Sequence, residues 1–268
     1  MTRQIGSNVG YTGRAANVAD NGSLTLYALC GVRRRSSCRL RLRTTVSSLL
    51  PGTPSAYLLG AVKFNSLPAG FIIPARPVVR SRPPFGPDWV HEIKHDGYRM
   101  IVRREGSAVR VYSRNAYDWT LRLAAIAAAA QQIKAKSFTI DGEAVVPRPD
   151  GLSRFEELRS TEAAHAAIVY AFDLIEHDGE DMRNFPLLDR KHALARLLRN
   201  TEAGILFNEH IAEDGPMVFA HACRLGAEGI VSKKVDSTYR SGLCRVWIKV
   251  RNPASIAVQR ERSEMWNR

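Results

Sequence analysis

The sequence predicts an α+β fold of largely antiparallel sheets with flanking helices around one core. Three observations carry that expectation. Strand-like runs outnumber helical ones. Consecutive strand-like runs are joined by short turns, which suits antiparallel pairing better than crossover connections. The chain is long enough to bury a core, at 268 residues with 45% hydrophobic and 24% charged.

Residues 1–65 show no sustained apolar period, and GVRRRSSCRLRLR is a short basic cluster within them. They are expected to form a disordered basic extension. Their Arg-rich, Ser-rich, acid-poor composition also suits a transit peptide, a nucleic-acid-binding arm, or translation from an upstream start. Organelle targeting is the weakest of these, because no amphipathic helix stands out.

A single domain is expected over residues 66–268. It begins with LPAGFIIPARPVVRSRPPFGPDW, which carries six prolines. Proline removes a backbone donor, so this stretch reads as an extended lead-in over the surface and not as a central strand. WVHEIK is strand-like. MIVRREGSAVRVYSR alternates on both sides of REGS, which is a hairpin signal. RLAAIAAAAQQIKAK is an alanine-rich helix. FTIDGEAVV and AIVYAFDLIEHDG read as strands, the second mostly buried. DRKHALARLLRN has helical spacing through Ala193, Leu194, Leu197 and Leu198. GPMVFAHACRLGA is another helix, ended by Gly226. GIVSKKV and RVWIKVR close the series as strands.

The formal net charge is +13, and residues 1–65 contribute nine Lys or Arg against the single acid Asp20. A polyanionic partner fits that balance, although much of the signal lies outside the expected domain. Cys30, Cys38, Cys223 and Cys244 form no C-x-x-C pair, so neither a zinc knuckle nor a disulfide framework is indicated. A reducing compartment fits. No apolar run approaches the roughly 18 residues of a membrane helix, so no membrane partner is expected. Neither G-x-x-x-x-G-K-[ST] nor G-x-G-x-x-G occurs.

The chemistry-bearing residues gather instead at strand ends. They are Lys94, Asp96, Arg99, Arg114, Glu143, Asp173, Glu228, Lys233, Lys249 and Arg251. Each alone means little. A lysine before a turn is usually solvated, D-G is usually only a turn, and WIKVR is usually one wet sheet face. Their joint order is more specific.

Lys94-His95-Asp96-Gly97-Tyr98-Arg99 has the pattern K-x-D-G-x-R. It is followed in order by Asp141–Glu143 (DGE), Phe172–Leu174 (FDL), Glu228–Lys233 (EGIVSK) and Trp247–Arg251 (WIKVR). This series resembles the nucleotidyltransferase superfamily of ATP-dependent DNA ligases and capping enzymes, over about residues 68–253. HEIKHDGYR, YSRNAYDWT and YRSGLCRVWIKV make it most similar to the ligase module of bacterial ligase D and its small relatives, which act in DNA repair and recombination.

The resemblance implies an ATP-grasp-like nucleotidyltransferase fold with a cleft between its sheets. It implies that Lys94 attacks the α-phosphate of ATP and becomes a lysyl-AMP phosphoramidate. Only an unprotonated amine can attack, so a strand end in a cleft, near other cations and a bound metal, suits the task. By the same resemblance Glu92 helps read the adenine amino group, and Arg99 and Glu143 hold the ribose. Phe172 stacks on adenine, although as a residue type it could equally be plain core. Glu228, assisted by Glu143, binds Mg²⁺ or Mn²⁺. Lys233, Lys249 and Arg251 neutralise phosphate charge, and Arg114 contacts the ribose or the nick phosphate. Asp96 is read as a turn-former and orienter.

Three departures from the family pattern are visible. Ala116 stands where relatives usually have glycine. Arg251 replaces the second lysine of K-x-K, keeping charge but changing donor geometry. Residues 252–268 are too few for the OB-fold domain that usually follows, so the expectation is that this chain lacks it, and that either a partner supplies that surface, or the protein works poorly alone, or it no longer completes the reaction. The leading reading is an ATP-dependent DNA ligase module in the bacterial cytoplasm, acting on nicked or broken double-stranded DNA at the nucleoid. The alternatives are an RNA ligase, a capping-type enzyme, or a non-catalytic nick-binding remnant.

Overall fold

Alternating β-branched and aromatic residues build strands here, and the alternation gives way to continuous apolar runs where both sheet faces are covered. The computed structural model describes residues 67–148, 153, 155–201 and 203–266. The extension expected over residues 1–65 lies outside them. In chain order the elements are β1 (Ala75–Val79), β2 (Trp89–Lys94), β3 (Tyr98–Glu105), β4 (Ala108–Ser113), α1 (Ala124–Gln132) and β5 (Ser137–Val145). There follow α2 (Thr161–Ala164), β6 (Ile168–His177), β7 (Glu180–Asp181), α3 (Leu187–Leu198) and β8 (Ile205–Phe207). The last are α4 (Gly215–Arg224), β9 (Gly229–Lys234), β10 (Gly242–Arg251) and α5 (Ile256–Trp266).

Two sheets form. The first has the order β1-β10-β9-β2, and the second β4-β3-β5-β6-β7 with β8 beside β6. All pairings are antiparallel except β1 with β10 and β8 with β6. The proline-rich lead-in is extended, as expected, but it is also paired. β1 is an edge strand, and its register on β10 shifts between Pro77 and Val78. An edge tolerates a residue with no N–H to donate, so proline there does not exclude a strand.

The apolar interior is divided into three clusters, where one was expected. One packs α1 and α3 on the second sheet, with Ile126, Leu194, Phe138 and Ile140 all buried. A second joins the two sheets through Val90, Ile101, Phe172 and Trp247. The third packs Val218 and Ala222 of α4 on Ile230 and Val250. Two sheets present more than one apolar face, and the outer faces need their own helices. Among the described residues no helix is long and apolar enough to cross a membrane. Cys223 and Cys244 are free thiols.

Candidate active site

Every side chain expected from the resemblance lines one cleft of about 540 Å³. The first sheet supplies Glu92 and Lys94 from β2, Lys233 from β9, and Lys249 and Arg251 from β10. The second sheet supplies Arg99 from β3, Glu143 from β5 and Phe172 from β6. Arg114, just past β4, and Glu228, just before β9, complete the set. The cleft therefore lies between the sheets, as expected.

Lys94 ends β2, half-buried, and its Nζ donates to Glu228 Oε2 at 2.5 Å. The chain then turns tightly through Asp96 and Gly97 into β3. A Cβ on Gly97 would meet the Ala144 carbonyl oxygen and the Val145 side chain. Gly97 is therefore a matter of space, because β5 passes directly against the turn. Gly97→Ala should cost about 1–3 kcal/mol by overpacking, read as a lower urea midpoint. An unchanged midpoint would show that the turn can give way.

Asp96 sits in this turn with both carboxylate oxygens bonded. It accepts from the Phe155 N–H at 3.3 Å and from Arg260 of α5 at 2.9 and 3.2 Å. Arg260 also bonds Glu156, and Glu261 pairs with Arg251 Nη1. Helix α5, which no apolar period announces, thus clasps the rim beside Lys94. Ala116 has φ +65, the left-handed region that glycine adopts most easily, which accounts for glycine being usual there.

Glu92 is buried and held at both oxygens, by Lys191 Nζ at 2.6 Å and Lys233 Nζ at 2.7 Å. Burial would raise its pKa, but the two ammonium groups outweigh burial and hold it below the ordinary carboxylate range. Burial pushes Lys233 down to about 8, with Glu92 opposing. Lys249 is lowered by burial and by neighbouring Arg251 and Lys94. Phe172 stands edge-on to Trp247, with Lys233 Nζ 4.4 Å and the Arg99 guanidinium 4.6 Å from its ring centroid.

Arg99 grips Asp141 with Nε at 2.5 Å and Nη2 at 2.7 Å, and Tyr239 donates to the same carboxylate. Glu143 sits directly opposite Arg99 on the neighbouring strand. Burial raises Glu143 to about 7 against the pull of Lys94 and Arg99, and Glu228 adds to the rise. Glu228 is itself raised by burial, with Lys94 opposing.

Among the described residues no group of three or more His, Cys, Asp or Glu could hold a metal. Two carboxylates facing one cleft still fit a hard divalent ion that completes its shell with phosphate oxygens and water, as Mg²⁺ does. A polyanion fits as well. Arg251 Nε and Trp247 Nε1 belong to the cleft lining and are buried donors without a partner among the described residues.

The sequence reading missed Lys191, Arg190, Tyr239 and Arg260, and placed Asp141 in a motif without a role of its own. A signal existed for the first two. Leu187, Arg190, Lys191, Leu194 and Leu198 share the buried face of α3, so two cations stand on an apolar stripe.

A family model described as "ATP dependent DNA ligase domain" matches residues 83–251. The multifunctional non-homologous end joining protein LigD of Pseudomonas aeruginosa is 37% identical over 185 residues, covering 68% of this chain and 22% of that protein. A probable DNA ligase of Streptomyces griseus is 34% identical over 184 residues, covering 62% of this chain and 36% of that protein. The chain thus spans 22% and 36% of the length of these two relatives. Among solved structures, mycobacterial DNA ligase D complexed with ATP and MES superposes with a TM-score of 0.59 at 29% identity, covering 67% of this chain and 60% of that one. The ligase domain of Mycobacterium tuberculosis LigD gives 0.56 at 27% identity, covering the same shares.

Proposed function

The chain belongs to the ATP-dependent DNA ligase domain family, and from that membership we propose that residues 66–268 form a catalytic module sealing DNA breaks through a lysyl-AMP intermediate. The observation that carries the reading is Lys94 at a strand end, lining one cleft together with the carboxylates Glu143 and Glu228 and the cations Lys233, Lys249 and Arg251. Lys94 Nζ attacks the α-phosphorus of ATP. The N–P bond forms, the bond to the β-phosphate oxygen breaks, and pyrophosphate leaves. Nζ must first lose a proton, and the acceptor already in contact with it is Glu228. Lys233, Lys249 and Arg251 set positive charge against the phosphate oxygens. Glu143 and Glu228 would hold Mg²⁺ or Mn²⁺, which when bound adds charge stabilisation at the phosphates.

AMP then passes to a 5′-phosphate, and a 3′-hydroxyl attacks that phosphate to release AMP. Nicked or broken double-stranded DNA is the substrate, with Arg114, exposed at the cleft, as a phosphate contact. The likeness to end-joining ligases supports a place in double-strand break repair, in the cytoplasm of a bacterial cell.

The test is incubation of the full chain with Mg²⁺ and α-labelled ATP or GTP, followed by denaturing electrophoresis. Label from ATP should stay with the protein and label from GTP should not. Uptake from GTP in place of ATP would point to a capping-type enzyme, and uptake of neither to a non-catalytic remnant.

A further inference from the structure

Lys191 has no role in the motifs, yet it is fully buried, which is rare for lysine unless it is paired. It lies on α3, outside both sheets, and reaches Glu92 and Asn208, which line the cleft. Its Nζ donates to Glu92 Oε1 at 2.6 Å and to the Asn208 carbonyl at 3.0 Å. The Phe207 ring lies 4.7 Å from the same nitrogen. Lys233 takes the other oxygen of Glu92. One ammonium group on each oxygen restricts rotation of the carboxylate. An ionised carboxyl has about four acceptor sites, so two remain for a ligand. A buried ion pair is often worth no more than a pair of apolar groups of similar volume, so stability alone gives weak reason for keeping Lys191 and Glu92 charged here.

We propose that Lys191 is a positioning residue for base selection, keeping Glu92 ionised and aimed so that the cleft accepts adenine and rejects guanine. This rests on Glu92 being the group that reads the base. An ionised carboxylate can only accept. It suits the amino donor at position 6 of adenine and repels the carbonyl oxygen that guanine carries there. A protonated Glu92 could donate to that oxygen and would lose the distinction. The charged and titratable groups facing Glu92 are Lys191 from α3, Lys233 from β9, His95 after β2 and His210 after β8. Burial drives both histidines down to about 4, so neither changes charge near neutral pH.

The experiment measures lysyl-AMP and lysyl-GMP formation by the full chain with ATP and GTP as probes, between about pH 5.5 and 8. The native ratio should stay flat across that range. In Lys191→Gln the ratio should fall about tenfold, through a higher KM for ATP with the maximal rate retained, and should fall further as pH drops. Lys191→Arg, which keeps the charge, should restore it. An unchanged ratio in Lys191→Gln overturns the proposal, and so does a native ratio that declines toward low pH. The second outcome needs no variant to fold. Glu92→Gln separates the two levels. If it leaves the ratio intact, Glu92 does not read the base and the underlying reading fails. If it collapses the ratio while Lys191→Gln does not, only the role of Lys191 fails.

Discussion

Lys94→Ala should leave a protein that melts near the native temperature and takes up no label from ATP, a loss of at least about a thousandfold. Lys94 is half-buried at the end of β2, with its ammonium group paired to Glu228. Its removal strands Glu228, which is 4% exposed as a side chain. Burial already raises the pKa of Glu228, so without the lysine it can take up a proton instead of keeping an unpaired charge. The fold therefore has a way to tolerate the change, while the chemistry has none. Lys94→Arg sharpens the test, because a guanidinium keeps the pair with Glu228 but does not deprotonate in proteins. It should melt like the native chain and be equally inert. Label persisting in either variant, with melting curves unchanged, would mean that another group is the nucleophile.

The sequence carried the strands around Lys94 because their signals are local. Alternation marks β3 and β4, a continuous apolar run marks β6, and Gly226 at φ +75 ends α4 where the helical spacing stops. The site was legible for a different reason, since its residues sit in short motifs in a fixed order, although DGE and FDL lie within β5 and β6 and not at the strand ends expected for Glu143 and Asp173. What was not legible depends on partners far away in the chain. Arg190 and Lys191 are charged residues on an apolar helix face, and nothing in α3 says that Asp173 and Glu92 wait opposite them. Strand β1 was hidden because proline forbids a central strand, and only the sheet order shows it to be an edge. Helix α5 has no apolar stripe to announce it, and is held in part by the pairs Arg260–Asp96 and Arg251–Glu261.

The largest stability effect should come from Asp173→Ala, at about 3–5 kcal/mol of unfolding free energy. Asp173 of β6 and Arg190 of α3 are both fully buried. Arg190 Nε and Nη2 reach the two carboxylate oxygens at 2.7 and 2.9 Å, and Nη1 donates to the carbonyls of Phe185 and Ser237. Arginine cannot shed its charge, so removing the carboxylate leaves a cation in the interior with only carbonyl partners. Removing both charges is a different matter. Asp173→Leu with Arg190→Met should recover most of the loss, because a buried pair is often worth no more than apolar groups of similar volume. A urea double-mutant cycle of Asp173→Leu, Arg190→Met and their combination measures this directly, and a loss below about 1 kcal/mol in Asp173→Ala would show that water reaches Arg190. The effect should not stop at stability. Arg190 precedes Lys191 and Asp173 follows Phe172, so the pair ties α3 to the strand that carries the cleft's aromatic floor. If Lys191 aims Glu92, the Asp173→Ala chain should also select ATP over GTP less sharply in the temperature range where it is still folded, and the double variant should regain both properties together.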